Sequence, residues 1–437
     1  MAHHQGDSKE RRVVVTGLGT VNPIGNTVRE YWANLKQGRS GIRLIRNIKL
    51  HDYHIRFGGE VDYPEDIRDY FKQPKMIKRL DRYIVMAHIA GMQALRDSGL
   101  EAGNLGERCG AIIGSGAGGI LAHQNATNLI YENRMNEVPP FYIVSCIPST
   151  GTAFFAKEAG IRGPSFSVCS ACSTGNHAFG QSYSFIKTGI VDVMFAGGSE
   201  SPVNEMGLAA FGNIAALSDR NENPERASRP FDADRNGFVL GEGAGVLCLE
   251  ELEHAERRNA HIYAEIVGCG FTSDAHDLVA PHPEAEGAVH AIKAAMNMAG
   301  LEAEDIDLVN THGTATPIGD KTEGIAINIA LKGHGSRVPV HSTKSMTGHL
   351  LGGASAIEAI AAIMAFEENI IHPTTNHDRL DPEIDLNVIT TPTDASSVNH
   401  ILSNAFGFGG LNAVLILKRY QSYRKTTSSR ATAATSP

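Results

Sequence analysis

Short apolar runs recur along the chain, and each is followed by glycine and then by a helix-like pattern. Clear examples are residues 13–15, 111–113 and 191–195. Apolar runs of this length without polar alternation are typical of strands buried on both faces. Such strands occur in parallel sheets that are covered by helices, so the pattern predicts an α/β fold.

The second part of the chain repeats the order of segments found in the first. The matched segments are 13–19 with 264–270, 111–114 with 305–310, and 166–169 with 338–341. One interpretation is a duplicated unit rich in βαβ connections. The other is that buried parallel strands resemble one another in any protein, and these matches alone leave both interpretations open.

The length of the chain requires more than one hydrophobic core. Its 437 residues exceed the roughly 250 to 300 residues at which a single core stops growing. No apolar run approaches the roughly 18 residues needed to span a bilayer, so membrane insertion is not expected. The net charge of −9, without a dense basic stripe, argues against a nucleic-acid partner.

The cysteines favour a reducing compartment. Cys169 and Cys172 are the only close pair among six cysteines, so neither a zinc site nor a disulfide scaffold is expected. The first residues lack the apolar segment of a secretion signal. We therefore expect a cytoplasmic protein, or an organellar one if a transit peptide has been removed. Residues 1–12 and 420–437 are predicted to be flexible tails.

Cys172 is the first candidate for chemistry, because it lies where a strand-like stretch turns into a helix. Phe179, Tyr183 and Ile186 continue this helix at i, i+4 and i+7. A cysteine at a helix start is favoured as a thiolate, which predicts a lowered pKa and a nucleophile held on a sharp turn. The alternative is a small buried hydrophobe, which is what we expect of Cys169.

Two histidines, a lysine and a glycine-rich loop accompany this cysteine. His312 and His349 lie in loops after strand-like runs, where an imidazole can hydrogen-bond a carbonyl or transfer a proton. Each could also be an ordinary surface histidine, and Lys344 a solvated amine. Near the end of the chain, the flanking glycines suggest that the loop of Phe406 and Phe408 aims a backbone N–H into a site or acts as a movable gate, although both rings could be ordinary core.

Six blocks taken together resemble the β-ketoacyl-acyl carrier protein synthases, and among them the elongating type II enzymes. The blocks are 171–175 (ACSTG), 229–232 (RPFD), 237–245 (GFVLGEGAG), 312–317 (HGTATP), 344–352 (KSMTGHLLG) and 406–410 (FGFGG). The resemblance covers residues 13–419. It implies a thiolase-like fold of five layers, αβαβα, made of two duplicated βαβαβαββ halves at 13–263 and 264–419, and it implies a homodimer.

The resemblance also implies a role for each candidate residue. Cys172 would carry the acyl chain, and its backbone N–H and that of Phe408 would form the oxyanion hole. His312 and His349 would stabilise the enolate left by decarboxylation of a malonyl thioester. Lys344 would orient this group, Glu323 and Glu358 would support it, and no metal or other cofactor would be needed, because the substrates arrive on the 4′-phosphopantetheine of acyl carrier protein.

Further positions are implied to bind substrate or partner. Thr314, Thr316, Phe211 and Phe406 would contact substrate, and Ala117 would lie at the floor of the acyl pocket. A basic trio would dock acyl- and malonyl-loaded carrier protein; it consists of Lys75, Lys78 and Arg79. Two departures affect these contacts: Val279 stands where the family often has threonine, and Ala215 where an arginine is expected.

The resulting expectation is a 3-oxoacyl-[acyl carrier protein] synthase II, which elongates fatty acids by decarboxylative Claisen condensation. A ketosynthase of a specialised polyketide or polyene pathway is the alternative. A non-catalytic partner subunit is a further one, but the retained Cys172 argues against it.

Overall fold

The structure, a computed structural model, describes residues 10–48 and 53–421. Most of the two segments predicted to be flexible, 1–9 and 422–437, lie outside the described residues. Arg11 and Arg12 differ from that prediction because they bond to the folded body. Arg11 Nε donates to the carbonyl of Ile186 at 2.7 Å, and Arg12 forms an ion pair with Glu265 at 2.5 Å.

Eleven of the fifteen strands in the described residues form one sheet. The strands are β1 (Val13–Val21), β2 (Arg43–Leu44), β3 (Phe57–Gly58), β4 (Cys109–Gly114), β5 (Ser165–Phe166), β6 (Val193–Glu200), β7 (Gly243–Glu251), β8 (Ala264–Ser273), β9 (Leu308–Asn310), β10 (Pro339–His341), β11 (Ile370–Ile371), β12 (Asn387–Val388), β13 (Thr393–Asp394), β14 (His400–Gly407) and β15 (Leu411–Arg419). Their order in the sheet is β12-β10-β9-β14-β15-β8-β1-β7-β6-β4-β5.

Helices connect these strands and cover the sheet. They are α1 (Val28–Lys36), α2 (Arg82–Asp97), α3 (Ile120–Tyr131), α4 (Tyr142–Cys146), α5 (Thr150–Ala159), α6 (Thr174–Lys187), α7 (Glu205–Asn213), α8 (Leu252–Arg257), α9 (Glu286–Ala299), α10 (Pro317–Ala330), α11 (Lys344–Thr347) and α12 (Ala354–Glu368). Short 3₁₀ turns at Ala171–Ser173 and Leu351–Gly353 lead into α6 and α12. Over the described part of the chain, every helix is too short or too polar to cross a membrane.

The sheet order confirms the duplication. From the centre outward, one half runs β1-β7-β6-β4-β5 and the other β8-β15-β14-β9-β10, so the first, fifth, fourth, second and third strands of each half occupy matching places. The strand directions also match, since the two inner pairings of each half are antiparallel and the two outer ones parallel. The division of the chain into 13–263 and 264–419 stays a prediction.

The expectation of parallel sheets is met only in part, because each half is mixed. β1 and β7 pair antiparallel over eight positions, and β6 and β7 do the same. All nine residues of β1 and of β7 are buried, because helices cover both faces. An antiparallel strand covered in this way carries the same continuous apolar run as a parallel one, so its sequence does not show its direction.

The helices give the fold its five layers. α2 and α5 cover the outer face of the first half, and α9 and α10 cover the outer face of the second. α6 and α12 lie between the halves, where α6 contacts β6 and β15 and α12 contacts β7 and β14. The predicted αβαβα arrangement is therefore confirmed, and the N-termini of α6 and α12 begin inside the protein.

Asn176 joins the two halves near the start of α6. Its side-chain amide donates to the carbonyls of Ser403 in β14 and Ala413 in β15, both at 3.1 Å. Its backbone N–H donates to the hydroxyl of Ser355 in α12 at 3.1 Å. Asn176 is fully buried, so water cannot replace these bonds.

We predict that Asn176→Ala lowers the free energy of unfolding by about 1–3 kcal/mol, because it leaves buried acceptors without their donor. Urea denaturation followed by circular dichroism measures this change. Asn297→Ala, at an exposed site on α9, is the matched control and should change the free energy by less than about 0.5 kcal/mol. Equal effects of the two substitutions would contradict a bridging role for Asn176.

Candidate active site

The start of α6 holds Cys172 on a tight turn. Ala171, directly before it, has a left-handed φ of 48°, a conformation that non-glycine residues seldom adopt. The hydroxyl of Thr174 stabilises this turn, since it donates to the carbonyl of Ala171 at 2.7 Å and accepts from the N–H of Ser170 at 2.9 Å. Cys172 itself is buried, with 6% of its surface exposed.

The second half of the chain brings His312 and His349 to this cysteine. The sulfur of Cys172 and one ring nitrogen of each histidine all lie within 4.8 Å of one another. The two imidazoles meet edge to face, with ring centroids 5.4 Å apart. The structure thus brings together three residues that are separated by as many as 177 positions in the sequence.

Backbone bonds hold each histidine in place. His312 follows β9, and the carboxylate of Glu323 accepts the N–H groups of His312 and Gly313, both at 2.7 Å. His349 donates its N–H to the carbonyl of Val239 at 2.7 Å, and its own carbonyl accepts from Gly241 at 3.0 Å. The segment carrying His349 is therefore attached to the block 237–245.

A buried ion pair lies beside the three groups. Lys344 Nζ and Glu358 Oε1 are 2.5 Å apart, and only 1% of either side chain is exposed. Thr343 also donates to this carboxylate, at 3.4 Å. The sequence predicted Lys344 and Glu358 separately, and the structure shows that they form one unit.

Burial keeps both histidines neutral. It lowers the pKa of His312 and of His349 well below the usual value, and the positive charge of Lys344 lowers both pKa values further. A neutral imidazole has one N–H donor, so each ring can donate a hydrogen bond to a substrate carbonyl. Burial also raises the pKa of Glu323 to about 7.

The predicted lowering of the Cys172 pKa is wrong. Burial raises the pKa of this thiol to about 12, although the charge of Lys344 and the N–H of Phe408 act in the opposite direction. The cause is the loss of hydration, which disfavours the thiolate in a closed site. The resting nucleophile is therefore a neutral thiol.

A cavity of about 360 Å³ opens onto these groups. Its lining includes the predicted residues Phe406, Phe408, Thr314 and Thr316, and the two threonine hydroxyls are 3.0 Å apart. The entrance is apolar instead of basic. Its side chains include Val279 and Ala215, the two departures from the family pattern, together with the half-exposed residues Ile214 and Ile318.

Other predicted positions lie outside this cavity. Phe211 packs against Phe408, with ring centroids 6.1 Å apart. It therefore contacts a residue that lines the cavity without lining the cavity itself. Ala117 is exposed on the turn after β4 and does not line the cavity. The N–H of Ala117 is bound to Glu200 at 3.1 Å, and its place at the floor of an acyl pocket stays a prediction.

The basic trio is also separate from the cavity. All three side chains are exposed. Lys75 and Lys78 lie on the short helical turn before α2, and Arg79 directly follows that turn. Lys78 and Arg79 line a second cavity of about 520 Å³, next to Phe141 and Tyr142. The two cavities share no lining residue.

Two residues of the site were missed by sequence reasoning. Phe238 meets the ring of His349 edge to face at 5.3 Å, and Leu351 belongs to the same apolar cluster as Cys172. Both lie inside blocks 237–245 and 344–352, which carried the family resemblance, so a closer study of those blocks could have found them.

The thiol and two imidazoles also have the spacing of a three-ligand metal site over the residues described. The positive charge of Lys344 is close enough to lower the pKa of both histidines, and it would oppose a cation in the same way. This residue set therefore fits a metal poorly.

We predict that alkylation of Cys172 by iodoacetamide accelerates about tenfold per pH unit from pH 7 to pH 9, because a thiol with a raised pKa is mostly protonated throughout this range. Mass spectrometry of the Cys172 peptide measures the rate, in a Cys169→Ser protein that removes the exposed neighbouring thiol. A rate that levels off below pH 8 would show that the resting group is already a thiolate.

Comparisons with known proteins agree with this geometry. Residues 10–255 match the β-ketoacyl synthase N-terminal domain, and residues 263–378 match the β-ketoacyl synthase C-terminal domain. The 3-oxoacyl-[acyl-carrier-protein] synthase 2 of a Synechocystis strain is 42% identical over 94% of this chain and 99% of its own length. That of Vibrio cholerae is 43% identical over 94% of this chain and 99% of its own length.

Solved structures agree as well. The ishigamide ketosynthase/chain length factor has a TM-score of 0.88 at 34% identity, and a β-ketoacyl synthase from Burkholderia phymatum has 0.87 at 34%. A type II polyketide synthase acyl carrier protein in complex with its ketosynthase scores 0.85 at 29%. Each comparison covers 94% of this chain and 100% of the other. The chain belongs to the β-ketoacyl synthase family and is a condensing acyltransferase of the 3-oxoacyl-acyl carrier protein synthase type.

Proposed function

We propose that this enzyme joins an acyl group, held as a thioester on Cys172, to the two-carbon unit of malonyl-acyl carrier protein. The products are CO2 and a 3-oxoacyl thioester on the carrier. The observation that carries this proposal is the cluster of one thiol and two neutral imidazoles within 4.8 Å at the base of one cavity. The thiol can act as a nucleophile, and the two imidazoles beside it can both donate to one substrate oxygen.

The first step transfers the acyl group. The Cys172 sulfur attacks the carbonyl carbon of the incoming acyl thioester, and the carrier thiol leaves with the proton that the cysteine loses. The N–H of Phe408 already reaches the sulfur site, and with the N–H of Cys172 it would stabilise the negative oxygen of the intermediate. The high pKa of the thiol means that ionisation accompanies attack instead of preceding it.

The second step uses the histidines. His312 and His349 donate to the thioester carbonyl of the malonyl group, and the bond to its carboxylate breaks to release CO2. The resulting enolate carbon attacks the acyl carbon on Cys172, and the sulfur leaves as a thiolate, which takes up a proton from solvent to restore the resting thiol. Lys344, paired with Glu358, supplies positive charge near the developing enolate without donating to it.

Acyl carrier protein is the proposed partner. The cavity reaches Cys172, and Thr314 and Thr316 line it with hydroxyls that can contact the phosphopantetheine arm. A related ketosynthase forms a complex with its own carrier protein, which supports the same arrangement here. The substrates arrive on the carrier's phosphopantetheine, so the proposed reaction needs no further cofactor.

Exposed apolar side chains support the proposed homodimer. They lie on α3, α4 and the segments that follow each helix: Ile130, Tyr131, Met135, Ile143, Val144 and Ile147. An apolar face of this kind usually meets another protein surface. A second copy of the chain is the partner that the family resemblance implies, and the free state of all six cysteines fits the proposed cytoplasmic location.

A ketosynthase that pairs with a chain length factor is the second candidate. Two of the similar structures are ketosynthases solved with such a factor, and one has a TM-score of 0.88. The same apolar face would then meet a related but different subunit. Purification alone, followed by light scattering, separates a stable homodimer from a chain that needs another partner.

We predict that His349→Ala still becomes acylated on Cys172, while CO2 release from malonyl-acyl carrier protein falls at least about 10²-fold through the loss of one preorganised donor. Intact-protein mass spectrometry measures acylation, and labelled malonyl carrier protein measures CO2. His261→Ala, at the surface, is the matched control, and Cys172→Ala should not be acylated. Loss of acylation with normal CO2 release would reverse the proposed roles.

A second experiment concerns carrier docking. Reversing Lys78 and Arg79 to Glu should raise the KM for malonyl-acyl carrier protein about tenfold at low salt and less at high salt, because exposed charges act mainly on encounter. The matched control reverses Arg257 and Lys293, two exposed residues of α8 and α9. An unchanged KM would assign docking to the apolar entrance of the Cys172 cavity instead.

A further inference from the structure

Glu200, at the end of β6, is a fully buried carboxyl group that accepts four hydrogen bonds. Oε1 accepts from the hydroxyl of Ser115 at 2.7 Å and from the N–H of Ala117 at 3.1 Å. Oε2 accepts from the N–H groups of Gly116 at 2.6 Å and Gly352 at 3.1 Å. The condensation chemistry described above does not use this residue.

Burial raises the pKa of Glu200, whereas its four donors favour the ionised form. Three of the four partners are backbone N–H groups, which can only donate. The fourth is the hydroxyl of Ser115, which also accepts the N–H of Gly118 at 2.9 Å. A protonated acid could place its O–H only against this hydroxyl. Within residues 10–48 and 53–421, no cationic side chain is bonded to the carboxylate.

The duplication relates this carboxylate to the reaction site. At the reaction site, the end of β14 faces the start of α6, and a Cβ on Gly407 would lie 3.2 Å from the N–H nitrogen of Cys172. At the equivalent place of the duplicated fold, the matching strand β6 ends at Glu200 and faces the start of α12, where Gly352 donates. Glu200 therefore fills the counterpart of the proposed oxyanion hole.

The turns that Glu200 holds also touch the nucleophile. A Cβ on Gly116 would lie 3.5 Å from Cα of Ala171, the residue before Cys172. Gly352 follows Leu351, which lines the same cavity as Cys172 and has a left-handed φ of 46°. Ala171 has nearly the same strained φ, 48°. One carboxylate thus joins two turns that enclose the cysteine.

We propose that Glu200 is a positioning residue for Cys172: as a carboxylate it fills the unused anion hole of the duplicated fold, fastens both turns around the nucleophile, and places a negative charge near the sulfur. This inference rests on the proposed role of Cys172 as nucleophile. The charge effect has the expected sign, since the negative charge of Glu200 contributes to the raised pKa of the Cys172 thiol.

Two substitutions separate the charge from the tether. Glu200→Gln removes the charge and turns an NH2 group toward N–H donors, so two bonds are lost. Glu200→Asp keeps the charge but is one methylene too short to reach every donor. We expect Glu200→Gln to speed alkylation of Cys172 by iodoacetamide about tenfold at pH 8, the effect of removing one nearby charge. Glu200→Asp should leave this rate within about twofold of the parent, since its charge remains.

Both substitutions should slow acyl transfer from acyl carrier protein about tenfold, because the turns around the sulfur loosen. All proteins carry Cys169→Ser, and Glu265→Gln, a buried carboxylate paired with Arg12, is the matched control with parental rates. A purely structural residue would slow acyl transfer without speeding alkylation. Parental alkylation in Glu200→Gln, or equal acceleration in Glu265→Gln, would overturn the proposal.

Ser115→Ala covers the case in which neither Glu200 variant folds. It removes one donor and should slow acyl transfer about threefold with little change in melting temperature, the usual scale for one hydrogen bond. A parental rate would overturn the proposal.

Alkylation needs no carrier protein. It therefore tests Glu200 even if another residue turned out to accept the acyl group, a result that would refute the proposed function alone.

Discussion

Burial determines the charge of every reacting group in this enzyme. It raises the pKa of the Cys172 thiol and lowers the pKa of His312 and His349, so that nucleophile and donors are all neutral at rest. The nearby ammonium of Lys344 is itself buried and is compensated by Glu358. A neutral site does not hold bulk water strongly, and an apolar acyl chain can enter it at little desolvation cost.

The same burial explains why the chemistry needs its substrate. A thiol with a pKa of about 12 is a poor nucleophile until the leaving thiol of the carrier can take its proton. The histidines are poor general bases for the same reason, yet as neutral rings they remain donors. Negative charge therefore develops on the sulfur or on a substrate oxygen only when an acyl or malonyl thioester is bound. It develops where backbone N–H groups and Lys344 can stabilise it.

The duplicated fold supplies this buried place. Two central helices, α6 and α12, start inside the protein, and each start exposes N–H groups that need an acceptor. At α12 the acceptor is Glu200, built into the chain. At α6 the matching strand β14 ends at Gly407, which has no side chain to accept, so in the proposed reaction the acceptor is the substrate oxygen. This difference between two otherwise matching helix starts leaves one of them free to react.

Much of this could be predicted from the sequence. The short turns that carry Cys172, His312 and His349 lie inside continuous blocks, so local sequence placed them correctly. The charge of the thiol could not be predicted, because desolvation depends on residues from both halves. Glu200 was missed for the same reason: its partners at 115–117 and 352 become neighbours only when the halves pack. Strand direction was hidden by burial on both faces, as in β7.

The entrance to the cavity links this fold to substrate choice. Thr314 and Thr316 line the cavity with two hydroxyls, whereas Val279, Ile214 and Ile318 add exposed apolar surface. At the two positions where the family pattern has a threonine or an arginine, Val279 and Ala215 present only apolar atoms. Burying it contributes roughly 25 cal/mol per Å² without fixing direction. Recognition at the entrance therefore depends on shape and apolar contact. The hydrogen-bond donors that orient the substrate lie around Cys172.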